Sequence, residues 1–480
     1  MNETFRFRPS RRLVLAAGAS LASGMAQGQT APAAPLVAPP VREVKLTLQA
    51  ARRALKAGAP ESEMWLANGQ FPAPVIRVKK GEPLDLVIEN TLAHPTALHI
   101  HGLRGPNSAE NTPGLTGAPI APGETRKIRI ETPDAGTFVY IPVLPGRAAE
   151  QLERGLGGVF VVEEPSPPAV DHDHVLALDD LKLDDKGALQ TDFGNRFDGG
   201  RSGRLGNVLV ANGKVAPEEM TVRPGARVRL RLASLANARI MPMKFENMKA
   251  TVVALDGQPC DPFDPLKRTV VLLPGSRYDV MLDAPSEAGQ EARVMVALGT
   301  GLAVLRIRTE GEALPARQPV TSLPFNDVPP AIRLQNAVRT ELMITGGIDR
   351  PAQQGAPWPS AADIDKKFGR DGRFWTLNTG ISNGFSGKPI ATVKKGAPVV
   401  IALVNRTQWS QIITVHGHVF RLLHPLDDGW EPYFLDTLHL PEGTTSRIAF
   451  DAVNVGKWAI RSTVAEHYDA GFFGWFEVVP

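Results

Sequence analysis

The run Val75-Ile76-Arg77-Val78-Lys79-Lys80-Gly81, followed by Leu84-Asp85-Leu86-Val87-Ile88-Glu89-Asn90, is written three times in this chain. It returns as Met220-Thr221-Val222-Arg223-Pro224-Gly225 with Arg227-Val228-Arg229-Leu230-Arg231-Leu232. The third copy is Ala391-Thr392-Val393-Lys394-Lys395-Gly396 with Val399-Val400-Ile401-Ala402-Leu403-Val404-Asn405. Each reads as a strand, a charged glycine turn and a second strand. Further along each unit comes another turn into a strand: Ala121-Pro122-Gly123-Glu124-Thr125, Leu273-Pro274-Gly275-Ser276-Arg277 and Pro441-Glu442-Gly443-Thr444-Thr445. In the first two copies Leu84/Leu86/Ile88 alternate with Asp85/Glu89, and Val228/Leu230/Leu232 with Arg227/Arg229/Arg231. A period of two predicts one buried and one wet face, as in an antiparallel sandwich. The third copy is apolar on both faces and is expected to be more deeply covered. With little helical periodicity elsewhere, the pattern predicts an all-β protein.

A chain of 480 residues exceeds the usual size of one core. Pro-rich joints at Glu163–Pro168 and Leu314–Pro330 divide it into expected sandwich domains at 41–165, 169–313 and 331–480. Before them, Ser10-Arg11-Arg12-Leu13-Val14-Leu15 opens a short apolar core ending in small residues near Ala26. That pattern predicts a twin-arginine signal over 1–26 and hence a periplasmic protein. An Ala/Pro-rich linker over 27–40 follows. The totals of 53 Lys+Arg and 50 Asp+Glu lose Arg6, Arg8, Arg11, Arg12 and Glu3 with the signal, which balances the charge. Nothing here suggests a nucleic-acid partner, and the mature chain has no stretch long enough to span a bilayer. A single cysteine, Cys260, excludes a disulfide scaffold. Asp171-His172-Asp173-His174 reads as a solvated joint. Whether the insertions 193–206 and 347–372 are functional loops or disordered, the sequence leaves open.

The C-terminal run Asn454-Val455-Gly456-Lys457-Trp458, then Arg461-Ser462-Thr463-Val464-Ala465-Glu466-His467 and Phe473-Gly474-Trp475-Phe476, resembles the last signature of the multicopper oxidases. The resemblance covers nearly the whole mature chain and implies three consecutive cupredoxin-like Greek-key β-sandwich domains. In that family the C-terminal segment delivers a His-Cys-His triplet, and a further histidine follows four residues later. Here the triplet positions are Arg461, Ser462 and Thr463, and only His467 survives. A blue-copper centre needs a cysteine thiolate with two histidines, which a serine hydroxyl cannot replace. Arg461 is an obligate cation where a metal would add more positive charge.

The other signatures are eroded unevenly. Ala97-Leu98-His99-Ile100-His101-Gly102 resembles the first His-x-His-Gly element, with His99 and His101 on one strand face. The second element keeps Gly136-Thr137 and Gln151-Leu152-Glu153-Arg154-Gly155-Leu156-Gly157-Gly158, but Ile141-Pro142-Val143 stands where both histidines are expected. In Gln411-Ile412-Ile413-Thr414-Val415-His416-Gly417-His418, Gln411 and Thr414 occupy ligand positions, His416 is kept, and His418 is not usually a ligand. As buried polar replacements, Gln411, Thr414 and Ser462 are expected to hydrogen-bond into the vacated pockets.

The surviving family metal positions are thus His99, His101, His416 and His467. The resemblance implies a copper-free, non-catalytic structural or interaction protein of the cell envelope with a protein partner there. It is similar to exported relatives that have lost their coppers and support cell division. No cofactor is expected under that reading. The alternatives are a laccase-like copper oxidoreductase with an altered centre, or a periplasmic copper or zinc binder using the residual site His99/His101/His416.

Overall fold

The triple repeat in the sequence is a triple repeat in the topology. In the computed structural model, which describes residues 41–480 except Arg370, Thr379, Ser382 and Asn383, every copy crosses from one sheet to another at its glycine turn. The expected signal and linker lie outside the described residues. The strand before each turn (Ala73–Lys79, Glu218–Val222, Thr392–Lys394) pairs in parallel with the last strand of its unit: Gly158–Glu163, Leu302–Thr309 and Phe473–Val479. The strand after it (Leu84–Asn90, Arg227–Ser234, Pro398–Asn405) joins the other sheet. There it lies parallel to the unit's first strand and antiparallel to the strand that follows the second turn. Gly81, Gly225 and Gly396 all take positive φ at the crossing, the conformation glycine adopts without strain.

Residues 41–480 form one compact unit containing three such sheet pairs. The first pair has four strands in each sheet, the second seven and five, the third six and five. Each encloses its own apolar core, with Leu84, Leu86 and Ile88 in the first, Val228, Leu230 and Leu232 in the second, and Val399, Ile401 and Leu403 in the third. The third copy is deeply covered as expected, six of the eight residues of Pro398–Asn405 being buried.

One expectation fails on this surface and a second fails in part. Arg229 and Arg231 do not face water; they are 0% and 1% exposed. Their strand face is covered by Thr137 of the first sheet pair and by Glu164, from the Pro-rich joint. The run Asp171–His174 is exposed or half-buried as expected, but from His172 on it is strand rather than linker. His172–Leu181 is a strand, Asp173 pairs with Arg231, and His174 lies 3.5 Å from Glu218. Alternation reported a polar face correctly, but a polar face can be covered when its charges find partners across the seam.

Both insertions are structured where described. The first carries a short helix, Arg196–Gly200, and a buried Arg204 held by Glu153 and Asp192. The second carries the helix Ala361–Phe368, opened by a capping box between Ser360 and Asp363. No helix among the described residues is long and apolar enough to cross a membrane.

Candidate functional site

The strand Leu98–His101 carries His99 and His101 into the seam between the first and third sheet pairs, and His416 follows the strand Gln411–Val415 from the other side. All three are buried, and their ligand-capable nitrogens lie within 4.8 Å of one another. His99 and His416 stack face to face, ring centroids 4.1 Å apart. Burial lowers all three pKa values, those of His99 and His416 far below the usual histidine range, so the rings are neutral near pH 7.

Each imidazole is held by a residue that the motifs do not mark. His416 Nδ1–H donates to the Glu110 carboxylate, while Arg461 Nε donates to His416 Nε2 at 2.9 Å. The two bonds fix the tautomer: a ring accepting at Nε2 carries its proton on Nδ1. His99 Nδ1 donates to the Glu110 backbone carbonyl at 3.3 Å. Burial pushes the Glu110 carboxyl up, against the pull of His99, Thr112 and Arg461. His101 Nε2 donates to Thr437 Oγ1 at 3.0 Å, whose hydroxyl donates to Asp436 at 2.7 Å. Asp436 in turn receives both Arg277 Nη atoms at 3.0 and 2.5 Å. One fully buried knot therefore ties all three sheet pairs together. Gly102 makes it possible: with φ +87°, an added Cβ would stand 2.2 Å from Arg277 Nη2 and 2.3 Å from Asp436 Oδ2.

Arg461 is 2% exposed and lies beneath the histidines. Besides His416, its Nη1 donates to the Ser462 carbonyl at 2.8 Å, and its guanidinium sits 4.9 Å from the Tyr468 ring centre. Strand pairing sets it in one row with Thr414 and Thr437. Where the second element would supply histidines, Ile141 and Val143 pack into an apolar cluster with Ala97, Val139, Ala149 and Leu152. The retained Gln151 is scaffold, accepting from Thr96 at 2.9 Å and donating to the Pro95 carbonyl at 2.8 Å.

His467 stands in a second pocket, apart from the other three. Its Nε2 donates to the Arg201 carbonyl at 2.6 Å, and its Nδ1 lies 3.0 Å from the Gln411 side-chain amide. The ring packs on Trp375 at 4.4 Å. Ser462 Oγ, the nearest chemical relative of a thiolate here, accepts from Val464 N at 3.1 Å. Of the three polar replacements, Gln411 and Ser462 are hydrogen-bonded as expected. Thr414 Oγ1 is not: it has no partner among the described residues. His418 is a core residue, ringed by Phe450, Trp458 and Phe476 at 5.2 to 5.4 Å.

Burial takes the His467 pKa down to about 4. A folded pKa below the unfolded value of about 6.5 means that this group's stability is whole above that pH. It is lost as pH falls toward 4, by about 3 kcal/mol. Ring NMR should show a midpoint near 4. The stability gap between wild type and His467→Gln should narrow between pH 7 and 4.5. An ordinary midpoint near 6.5 would refute the burial argument.

Three family models, each described as multicopper oxidase, match residues 49–167, 178–304 and 356–480 and together span most of the chain. The chain belongs to the multicopper oxidase family. A solved multi-copper oxidase from Pseudomonas thermotolerans superposes with a TM-score of 0.79 at 28% identity, over 92% of this chain and all of the other. Lac15 from a marine microbial metagenome gives 0.71 at 29% identity, over 91% of this chain and 100% of the other. Among curated proteins, cell division protein FtsP of Edwardsiella tarda is 27% identical over 86% of this chain and 92% of its own length. FtsP of Escherichia coli K12 is 24% identical over 90% and 94%.

Copper is what the family implies for these pockets, and the donor set does not fit it. His416 Nε2 is already occupied by Arg461, and its Nδ1 by Glu110. His467 is hydrogen-bonded at both nitrogens, with an amide and a serine where the blue site needs an imidazole and a thiolate. Cys260 is buried in the core of the second sheet pair.

Proposed function

We propose that this multicopper-oxidase-fold chain is a copper-free, non-catalytic protein of the cell envelope, exported by the twin-arginine route. There it works by holding a protein partner during cell division. The observation that carries the reading is Arg461: a buried guanidinium hydrogen-bonded to a surviving family histidine is incompatible with an oxygen-reducing copper cluster there. The loss is selective, because Gln151, Gly102 and the sheet pairs are kept while most of the metal donors are replaced. A fold kept without its chemistry is suited to presenting surface. The division role is drawn from the relatives named FtsP, which match over nearly their full length.

The test has two arms. Protein recovered from the periplasmic fraction of copper-replete cells should contain no stoichiometric copper, show no thiolate-to-copper absorption and turn over no dioxygen. Deleting the gene in its own host should delay septation and lengthen cells, and a plasmid copy should restore them. Stoichiometric copper with turnover would restore the oxidase reading. Normal septation in the deletion strain would remove the division role.

A further inference from the structure

Five polar atoms around the three-histidine cluster have no hydrogen-bond partner among the described residues: His99 Nε2, His101 Nδ1, Thr414 Oγ1, Thr463 Oγ1 and Arg461 Nη2. Each belongs to a side chain less than a tenth exposed. Buried polar atoms are normally satisfied, so a cluster of orphans marks a place shaped for something besides these side chains. The nitrogens of His99, His101 and His416 lie within 4.8 Å of one another. Bonds of about 2.0–2.1 Å to zinc or copper would bring such nitrogens to within about 4 Å, a small contraction. Among the described residues, His99 Nε2 and His101 Nδ1 keep free lone pairs; a metal would still need the His416 lone pair and would have to turn that ring off His99, whose plane is 1° from its own.

We propose that Arg461 is the resident cation of this cluster: its guanidinium stands in for a metal ion, keeps metal out, and is the one residue whose removal would open a divalent-metal site on His99, His101 and His416. Its Nε takes the His416 lone pair a metal would use, at 2.9 Å. The other nitrogen of the same ring, Nδ1, donates to Glu110, so cation, imidazole and carboxylate form one chain across the seam. Such a chain resembles the carboxylate–histidine–metal arrangement, with the guanidinium in the metal's place. The guanidinium is anchored from its own strand by the Ser462 carbonyl and supported by the Tyr468 ring, so it cannot swing out without breaking both. A metal entering beside it would meet a fixed positive charge in a dry site, where like charges repel most strongly.

The inference rests on the copper-free reading, and its test separates the two. Full-length mature wild type, Arg461→Ala, Arg461→Lys and Arg461→Ala/His101→Ala are titrated with zinc, then with copper(II), by calorimetry. Arg461→Ala should bind one zinc about 100-fold tighter than wild type, and the double variant should lose that gain. Zinc should also raise the thermal midpoint of Arg461→Ala. Arg461→Lys, which keeps the cation, should match wild type. If the alanine variant does not fold, Arg461→Gln keeps much of the bulk without the charge. A zinc gain there supports the assignment, and wild-type affinity overturns it. A metal-free wild type beside an equally metal-free, folded Arg461→Ala removes the role given to Arg461 and leaves the copper-free reading standing. A wild type that carries copper and consumes dioxygen removes that reading itself.

Discussion

Arg277→Met is expected to cost about 3–5 kcal/mol of unfolding free energy, the range for breaking a buried ion pair by removing one partner. Arg277 is 0% exposed and bonds Asp436 twice, the Gly275 carbonyl at 2.8 Å and the Thr137 carbonyl at 3.2 Å, with Asp256 at 3.7 Å. Burial alone would raise the Asp436 pKa, but Arg277 outweighs it and holds the carboxyl well below the usual range. Asp256, buried beside the Asp436 charge, is pushed up to about 7. Without the guanidinium two buried carboxyls face each other, and one must stay protonated. His101, which leans on Thr437 and Asp436, loses its footing with them. Urea unfolding measures the loss. Arg277→Met/Asp436→Leu should recover much of it, since an apolar pair often replaces a buried ion pair at little cost. A loss below about 1 kcal/mol for the single variant would show that the knot does not hold the three sheet pairs together.

Arg229→Met should be of similar size and act at the other seam. Its guanidinium forks onto Glu164 at 2.9 and 2.6 Å and reaches Asp279 at 3.1 and 2.5 Å. Arg231 shares Asp279 at 3.1 Å and takes Asp173 through two bonds of 2.8 Å. Two cations thus serve three acids, and losing Arg229 leaves Glu164, among the described residues, with only the distant Arg231, at 4.0 Å. The expected loss is about 3–5 kcal/mol. Glu164 lies in the Pro-rich joint, so limited proteolysis between 165 and 171 should accelerate along with it. Arg229→Lys should recover part of the stability but not the two-acid grip, because an ammonium cannot fork onto both carboxylates. Unchanged cleavage at the joint would mean that Glu164 is anchored by something else.

Much of the site was readable from the sequence, and what was not has a physical reason. His99, His101 and His416 were found because a strand period of two and a motif spacing are local facts. So was the loss of thiolate at Ser462. Glu110, Arg201, Asp436 and Thr437, which hold the four histidines, sit in loops or at strand starts with no periodicity to mark them. Arg461 was legible as a cation hostile to metal, but its bond to His416, forty-five residues away, was not.

By itself the sequence determined the sheet-crossing corners: the glycine turns, the alternation around them and the threefold repeat all follow from φ preferences and side-chain period. It also determined which metal donors are absent, since a missing thiolate needs no coordinates. Only the tertiary structure decided which polar face stays wet. Asp85 and Arg229 follow the same alternation, yet one stays at the surface with Arg129 and the other is sealed between sheet pairs. Periodicity tells a residue's side of its own strand; what covers that side comes from residues 48 to 94 positions away.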